Sequence, residues 1–313
     1  MFRDYREEGG LLWRIEPIIT VLNAEYGIRL SSSGYYDYKS RQPSKRSVRD
    51  EYLKNLIERV WSENFSCWGA KKIWRELNRR GEKVARCTVE RLMKECGLRG
   101  LSRGKTPRTT IAGKQAACAE DLVKRNFSAV KPNELWVADF TYVSTWEGWC
   151  YTAFVTDVFA RMILGWAVSS SMSEKLVADA FEMAVLARAL TEADDLAGLI
   201  HHNDKGSQYT AEDFCTRLAL KGIRASIGSV GDSYDNALAE AINGSYKTEL
   251  IRNPKKGPWK TLEQLRLETA RWVHWHNTKN ITEYNNWHTP EEIEEILYTT
   301  GEDARRNAIS LEA

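Results

Sequence analysis

The sequence predicts an α/β domain with a mixed sheet, preceded by an all-α helix-turn-helix domain. Between residues 135 and 168, apolar side chains fall in short runs separated by a Gly-containing turn, and beyond 170 strand-like and helix-like patterns alternate. Before residue 100 the apolar spacing is helical throughout, with two short helices either side of Gly81. Residues 100–130 separate the two patterns, with Gly104, Pro107 and Gly113 and few large apolar side chains.

The bulk composition fits this division. The chain has 313 residues, 42% hydrophobic and 28% charged, enough for two ordinary globular domains. No run approaches the roughly 20 apolar residues of a membrane span. The first eight residues are charged and form no signal core. The six Cys, at 67, 87, 96, 118, 150 and 215, form no CxxC pair and have no His at zinc spacing. They read as free thiols of a reducing cytosol. The net charge is only +2, yet residues 39–125 carry 23 Lys and Arg against 10 Asp and Glu. A basic block beside an acidic one points to a nucleic-acid-binding part and a separate part.

In chain order, residues 11–28 predict a helix ended by Gly27, and Ser31–Gly34 a turn before a short helix. The polar, basic stretch 39–49, with Pro43, reads as a linker. Leu53, Leu56, Ile57, Val60 and Trp61 form one helical stripe. Two helices follow, over 68–81 and 87–98. The second buries Val89, Leu92 and Met93 and turns Thr88, Arg91 and Lys94 or Glu95 outward, with Arg86 at its entry. Such a helix suits a major groove. We place an N-terminal helical segment at 1–47, the helix-turn-helix domain at 48–105, a basic linker at 106–130, the α/β domain with C-terminal helices at 131–298, and a tail at 299–313.

In the α/β part, strands are predicted at 135–143, 150–158 and 163–168, with a hairpin turn at 145–149. A helix capped by Ser173 runs to Arg188, with Val177, Ala180, Phe181, Ala184 and Val185 on its apolar face. A short strand, 199–202, ends at Asp204. A helix at 211–221, a strand at 223–227 and a Gly/Ser-rich loop lead to the helix that carries Glu240.

Three carboxylates stand out. Asp139 lies mid-strand, Asp204 just past a strand, and Glu240 on a helix that can pack over both; 35 residues separate Asp204 from Glu240. Sites in such sheets gather at strand ends. Three carboxylates brought together repel unless they hold metal. Hard Mg²⁺ or Mn²⁺ takes oxygen ligands, and two such ions roughly 3.5–4 Å apart serve phosphodiester attack. Asn236, Glu240 and Lys247 share a helix face at 3.6 residues per turn, so Lys247 can meet a phosphate there. Single carboxylates have simpler roles: Asp157 is expected to pair with Arg161, and Asp232 or Ser233 to cap the Glu240 helix. His201 and His202 read as strand residues.

These residues carry a resemblance that spans most of 11–275. Trp136-Val137-Ala138-Asp139-Phe140-Thr141-Tyr142, Asp157–Arg161, Gly165-Trp166, His202–Tyr209 and Gly228–Glu240 resemble the motifs of insertion sequence 3 family transposases, second-reading-frame product. The resemblance implies a ribonuclease-H-like, retroviral-integrase-like core with Asp139, Asp204 and Glu240 as ligands of two Mg²⁺ or Mn²⁺ ions. It implies DNA 3′-end cleavage followed by strand transfer, without a covalent enzyme intermediate. Arg86, Thr88 and Arg91, and Lys205, Asn236 and Lys247 near the carboxylates, are the expected DNA contacts. Homo-oligomers on paired transposon ends, target DNA, an upstream reading-frame product as partner and a place at the bacterial nucleoid in the cytoplasm are also implied. The chain departs from the family where a basic pair and a His are expected after Trp275-His276-Asn277; Asn280 and Thr282 stand there instead. Two other readings are a DNA-binding descendant that no longer transposes, and a nuclease acting on RNA–DNA hybrids, which leaves the helix-turn-helix unexplained.

Overall fold

Alternation along one long strand sets the layers of the larger unit. In β1 (Leu135–Thr145), Trp136 and Ala138 point to one face, Leu135 and Val137 to the other. The computed structural model describes residues 15–103, 120–191, 195–204, 212–228 and 236–301. It forms two compact units, 1–55 and 56–313.

The first unit holds α1 (Ile15–Glu25), α2 (Ser32–Ser40) and the start of α3 (Lys45–Glu63). Gly27 follows α1 at φ +64°, a left-handed conformation that suits glycine at a helix end. Ser31 Oγ accepts the Gly34 N–H at 3.1 Å and caps α2. The expected linker at 39–49 is largely helical. α2 runs through Ser40, and Ser44 Oγ accepts the Ser47 N–H at 3.1 Å, so α3 begins at Lys45, two residues after Pro43. Local capping outweighed the polar composition.

The second unit begins with the helix-turn-helix. α4 (Ala70–Arg79) and α5 (Arg86–Glu95) bury Ile73 and Leu77 against Val89, Leu92 and Met93, the face expected from spacing. The sheet follows in the order β3-β2-β1-β4-β5. β1, β2 (Gly148–Asp157) and β3 (Met162–Ser169) are antiparallel neighbours; β4 (Ile200–Asn203) and β5 (Arg224–Ile227) run parallel to β1. On one face α6 (Glu174–Ala189) and α7 (Glu212–Leu220) cover Trp136, Ala138, Ala153 and Val155, with Phe181 and Phe214 between them. Gly165 lets α6 come this close. A Cβ there would stand 2.0 Å from the Ala180 carbonyl oxygen. On the other face lie α8 (Ala237–Tyr246), α9 (Leu262–Thr278) and α10 (Pro290–Thr300). Trp272 of α9 packs edge-on against Phe154 of β2 and Tyr246 of α8.

Asp157 does not pair with Arg161. Its carboxylate accepts Arg188 Nη2 at 2.7 Å, and Arg188 also grips Glu294 of α10 at 2.6 and 2.8 Å. All three are buried. Asp157 further accepts the backbone N–H groups of Asn133 and Phe159, at 2.8 and 2.9 Å. Arg161 lies instead over the Tyr284 ring, 3.6 Å from its centroid. A spacing of four suggested the wrong partner because the intervening turn, at φ +56° for Arg161, carries that side chain away. Removing one member of a buried ion network leaves uncompensated charge. Arg188→Met is therefore expected to lower unfolding free energy by about 3–5 kcal/mol in denaturant titration, with Asp157 and Glu294 left unpaired.

Candidate active site

Strand pairing brings Asp139 and Asp204 together. β1 and β4 run parallel with Ala138 opposite Asn203, so the next residue on each chain is a carboxylate. Asp139 still lies within β1, facing α8, while Asp204 follows the last residue of β4. α8 crosses at this point because Asn236, at its N-terminus and fully buried, donates Nδ2–H to the Ala138 carbonyl at 3.1 Å. That contact sets Glu240 in the first turn of α8, exposed above the two aspartates. Asp232 and Ser233, the expected caps, lie outside the described residues, as does Lys205.

The Asp139 carboxylate is held on both oxygens. Oδ1 accepts the Phe140 N–H and Oδ2 accepts Asn243 Nδ2–H, each at 2.8 Å. Burial, then the Asp204 charge, pushes its pKa up from 3.8 to about 7, with Glu240 adding a smaller push; the two hydrogen bonds oppose this. Among the described residues no three His, Cys, Asp or Glu side chains, Asp139, Asp204 and Glu240 included, are drawn together into a group that could hold an ion. The donors suit a hard divalent cation. All are oxygens, and Asn243 Oδ1, buried beside Asp139, has no hydrogen-bond partner.

Asn243 escaped the sequence reading. It lies three residues after Glu240, one turn along the same helix, and that spacing was the signal that could have found it. Lys247 begins a single π-helical turn, Lys247–Ile251, directly after α8. Its Nζ lies over the Tyr142 ring, 4.4 Å from the centroid. Burial lowers the Lys247 pKa, as does Arg252, while Tyr142 and Asp139 work against this. Another unforeseen contact comes from Arg103, whose Nη2 donates to the Ala241 carbonyl and to Ser245 Oγ, at 2.6 and 2.8 Å. It ties the end of the helix-turn-helix to the Glu240 helix.

His201 and His202 are buried strand residues, as expected. His201 packs edge-on against Phe181 and Phe214, and burial pushes its pKa down to about 4. His202 Nδ1 lies 2.9 Å from Ser226 Oγ. On α5, Arg86 and Arg91 stand at the surface in ion pairs with Glu90 and Glu95, both at 2.7 Å; Thr88 is half-buried between them. Exposed pairs of this kind are worth little and yield readily to a phosphate. The described cysteines, 67, 87, 96, 150 and 215, are free thiols; Cys118 lies outside the described residues. No described helix is long and apolar enough to cross a membrane.

Comparison with known proteins matches both the helix-turn-helix and the α/β part of the chain. An integrase core domain model matches residues 129–233, a second integrase core model matches 221–289, and an HTH-like domain model matches 47–106. A putative transposase for insertion sequence element IS986/IS6110 from Mycobacterium tuberculosis is 52% identical over 269 residues, covering 86% of this chain and 96% of that one. The chain belongs to the insertion sequence 3 family of transposases. The IS629 transposase of Shigella sonnei is 45% identical over 296 residues, covering 91% of this chain and 97% of that one. The IS904 transposase of Lactococcus lactis is 32% identical over 257 residues, covering 81% and 98%. The chain is thus a second-reading-frame transposase with a ribonuclease-H-like integrase core and a DNA-binding helix-turn-helix, an enzyme of DNA transposition and integration.

The transposase's Asp139 gives a pH signature. Without metal, the folded state holds this proton more tightly than the unfolded chain does. The proton's stabilisation is full below 3.8 and is lost as pH rises through about 7. The melting temperature of Asp139→Ala minus that of the wild type, both metal-free, should therefore increase across that window. A difference that stays constant with pH would refute the shift.

Proposed function

We propose that Asp139, Asp204 and Glu240 hold two divalent ions, Mg²⁺ or Mn²⁺, and that this site cleaves 3′ ends of the insertion sequence and joins them to target DNA. The observation that carries the reading is Asp139. Its carboxylate sits part-buried beside Asp204 and under Glu240, an arrangement that repels itself without a cation. When bound, the ions would make water or a 3′ hydroxyl nucleophilic and stabilise the leaving oxygen. The chain's own residues do the rest. Asn243 and the Phe140 N–H fix the Asp139 carboxylate in one orientation, Asn236 fixes the helix that carries Glu240, and Arg103 braces that helix a turn later. Lys247, positive and close to Asp139, takes a phosphate of the DNA end.

Arg86, Thr88 and Arg91 of α5 meet duplex DNA, and Lys205 adds a further contact; Asn236, expected from sequence to touch DNA, is fully buried and instead positions α8 through the Ala138 carbonyl of β1. The protein works as a homo-oligomer on paired ends, with an upstream reading-frame product supplying further DNA contact, in the bacterial cytoplasm at the nucleoid.

Nicking of labelled end-sequence duplex by the purified chain, with and without the upstream product fused, tests the catalytic reading. Wild type should nick with Mg²⁺ or Mn²⁺, and Glu240→Gln should show none. Equal nicking by both would remove Glu240 from the site. Binding without nicking in every form would favour a regulatory, non-transposing protein.

A second expectation concerns duplex binding. Each phosphate contact contributes a slope of about −0.9 to log affinity against log salt. Arg91→Ala and Lys247→Ala should each flatten the slope by roughly that amount in anisotropy titrations, with little change in sequence preference. An unchanged slope would take that residue off the DNA.

A further inference from the structure

The β1–β2 hairpin projects a set of aromatic rings that the fold does not use. Trp146 and Trp149 are 69% and 57% exposed and Tyr142 is 43% exposed, although Trp residues elsewhere in the unit, such as Trp68, Trp136 and Trp272, are buried. Tyr142 and Trp149 are neighbours, and Trp146 stands at the turn between their strands. Tyr142 and Trp149 meet edge to face at 5.4 Å. Each end of the row carries a lysine, Lys247 over Tyr142 at 4.4 Å and Lys260 over Trp146 at 5.3 Å. Arg252 lies close enough to Lys247 to act on its charge. The one carboxylate at the hairpin tip, Glu147, is exposed and accepts the Leu262 N–H at 3.0 Å.

The rings are held on a rigid base. Thr145 Oγ1 donates to the Gly148 carbonyl at 2.9 Å across the turn, Gly148 takes φ +121°, and the Trp146 N–H donates to the Trp259 carbonyl at 3.1 Å. Trp259 in turn donates Nε1–H to the Ile251 carbonyl at 3.0 Å, at the end of the π-helical turn that starts with Lys247. The hairpin, the turn and the following strap therefore move together. Tyr142 lies three residues beyond Asp139 on the same strand, a run of about 10 Å; alternation turns its side chain to the opposite face, and Lys247, which interacts with Asp139, reaches over its ring.

We propose that Tyr142, Trp149 and Trp146 form a stacking ledge for unpaired bases of the DNA strand that runs out of the catalytic carboxylates, with Lys247 and Lys260 on its phosphates. Aromatic faces alternating with cations along one edge match single-stranded nucleic acid, since every base has a face to stack and every nucleotide a charge to neutralise. Positive charge at both ends of the row, and a carboxylate engaged by the Leu262 N–H, favour a polyanion over a second protein. A ledge that captures unpaired bases next to the reacting phosphate would offset the cost of opening the duplex there. This inference rests on the reading that the Asp139 site acts on DNA.

The test measures anisotropy of a fluorescent oligothymidylate and of a duplex on the full chain without metal, and nicking separately with Mg²⁺. Trp149→Ala and Trp146→Ala should each weaken oligothymidylate binding roughly 5- to 150-fold, the range expected for loss of one base–aromatic stack. Trp149→Phe should retain most of the affinity. Duplex affinity, carried by α5 and phosphate contacts, should stay within about twofold. Nicking by Trp149→Ala should fall more on a fully paired end than on one with mismatches beside the cleaved phosphate. Equal losses on single strand and duplex, no loss on either, or a change of assembly state in sedimentation would overturn the ledge. A wild type that binds single strands through Trp149 but never nicks would sink the catalytic reading and leave the ledge. A nicking enzyme whose Trp149→Ala variant binds oligothymidylate normally would sink the ledge alone.

Discussion

Ala138 opposite Asn203, across the parallel strands β1 and β4, is the register on which the site depends. It sets the next residues, Asp139 within β1 and Asp204 just past the end of β4, side by side. A slip of one residue would turn Asp139 into the α6 core and Ala138 toward α8. Asn236 reads the same register from above, because its amide bonds the carbonyl of Ala138 itself. One strand position thus carries both aspartates and the helix of Glu240. The carboxylates repel, and the surrounding packing holds them in place, as strained or charged groups at functional sites are commonly held.

That packing is anchored away from the site. The Asp157–Arg188–Glu294 network joins the end of β2, the last turn of α6 and the N-terminal half of α10. Burial pulls the guanidinium pKa down, but its bond to Glu294 and the charges of both carboxylates hold it above the usual value. Asp157 also fastens the backbone that leads into β1, through Asn133. The second anchor is α9. Trp275 donates Nε1–H to Asn64 Oδ1 at 2.9 Å, and Lys72 of α4 donates to Asn280 Oδ1 at 2.6 Å, while Arg79 grips Glu292 at 2.6 and 3.0 Å. The helix-turn-helix and the C-terminal helices share these contacts. Asn280, where the family pattern led us to expect a basic residue, is here a buried acceptor for a lysine, so the departure is matched by Lys72 on α4.

Periodicity and motif spacing carried most of the fold. The alternation in β1, the apolar face of α6 and the inward side of α5 were all legible, because each is a local pattern that burial enforces. The parts that were not legible depend on chain reversal or on distant partners. Arg188 was readable only as the end of a helix, and nothing local announced that Asp157 and Glu294 would meet it from 31 and 106 residues away. The start of α3 was hidden by a basic, Pro-containing run, since a single serine cap decided it. At the site, the carboxylate positions were legible through their spacing, whereas Asn243 and Arg103 were not singled out. Asn243 matters for its bond to Asp139 and Arg103 for its reach to α8, and both are tertiary contacts.

The central claim is that Asp139, Asp204 and Glu240 together form a divalent cation site. Its most direct test is an anomalous difference map from crystals of the transposase soaked in Mn²⁺. The account predicts peaks bounded by these three carboxylates. Ordered Mn²⁺ elsewhere, with none between Asp139 and Asp204, would contradict it.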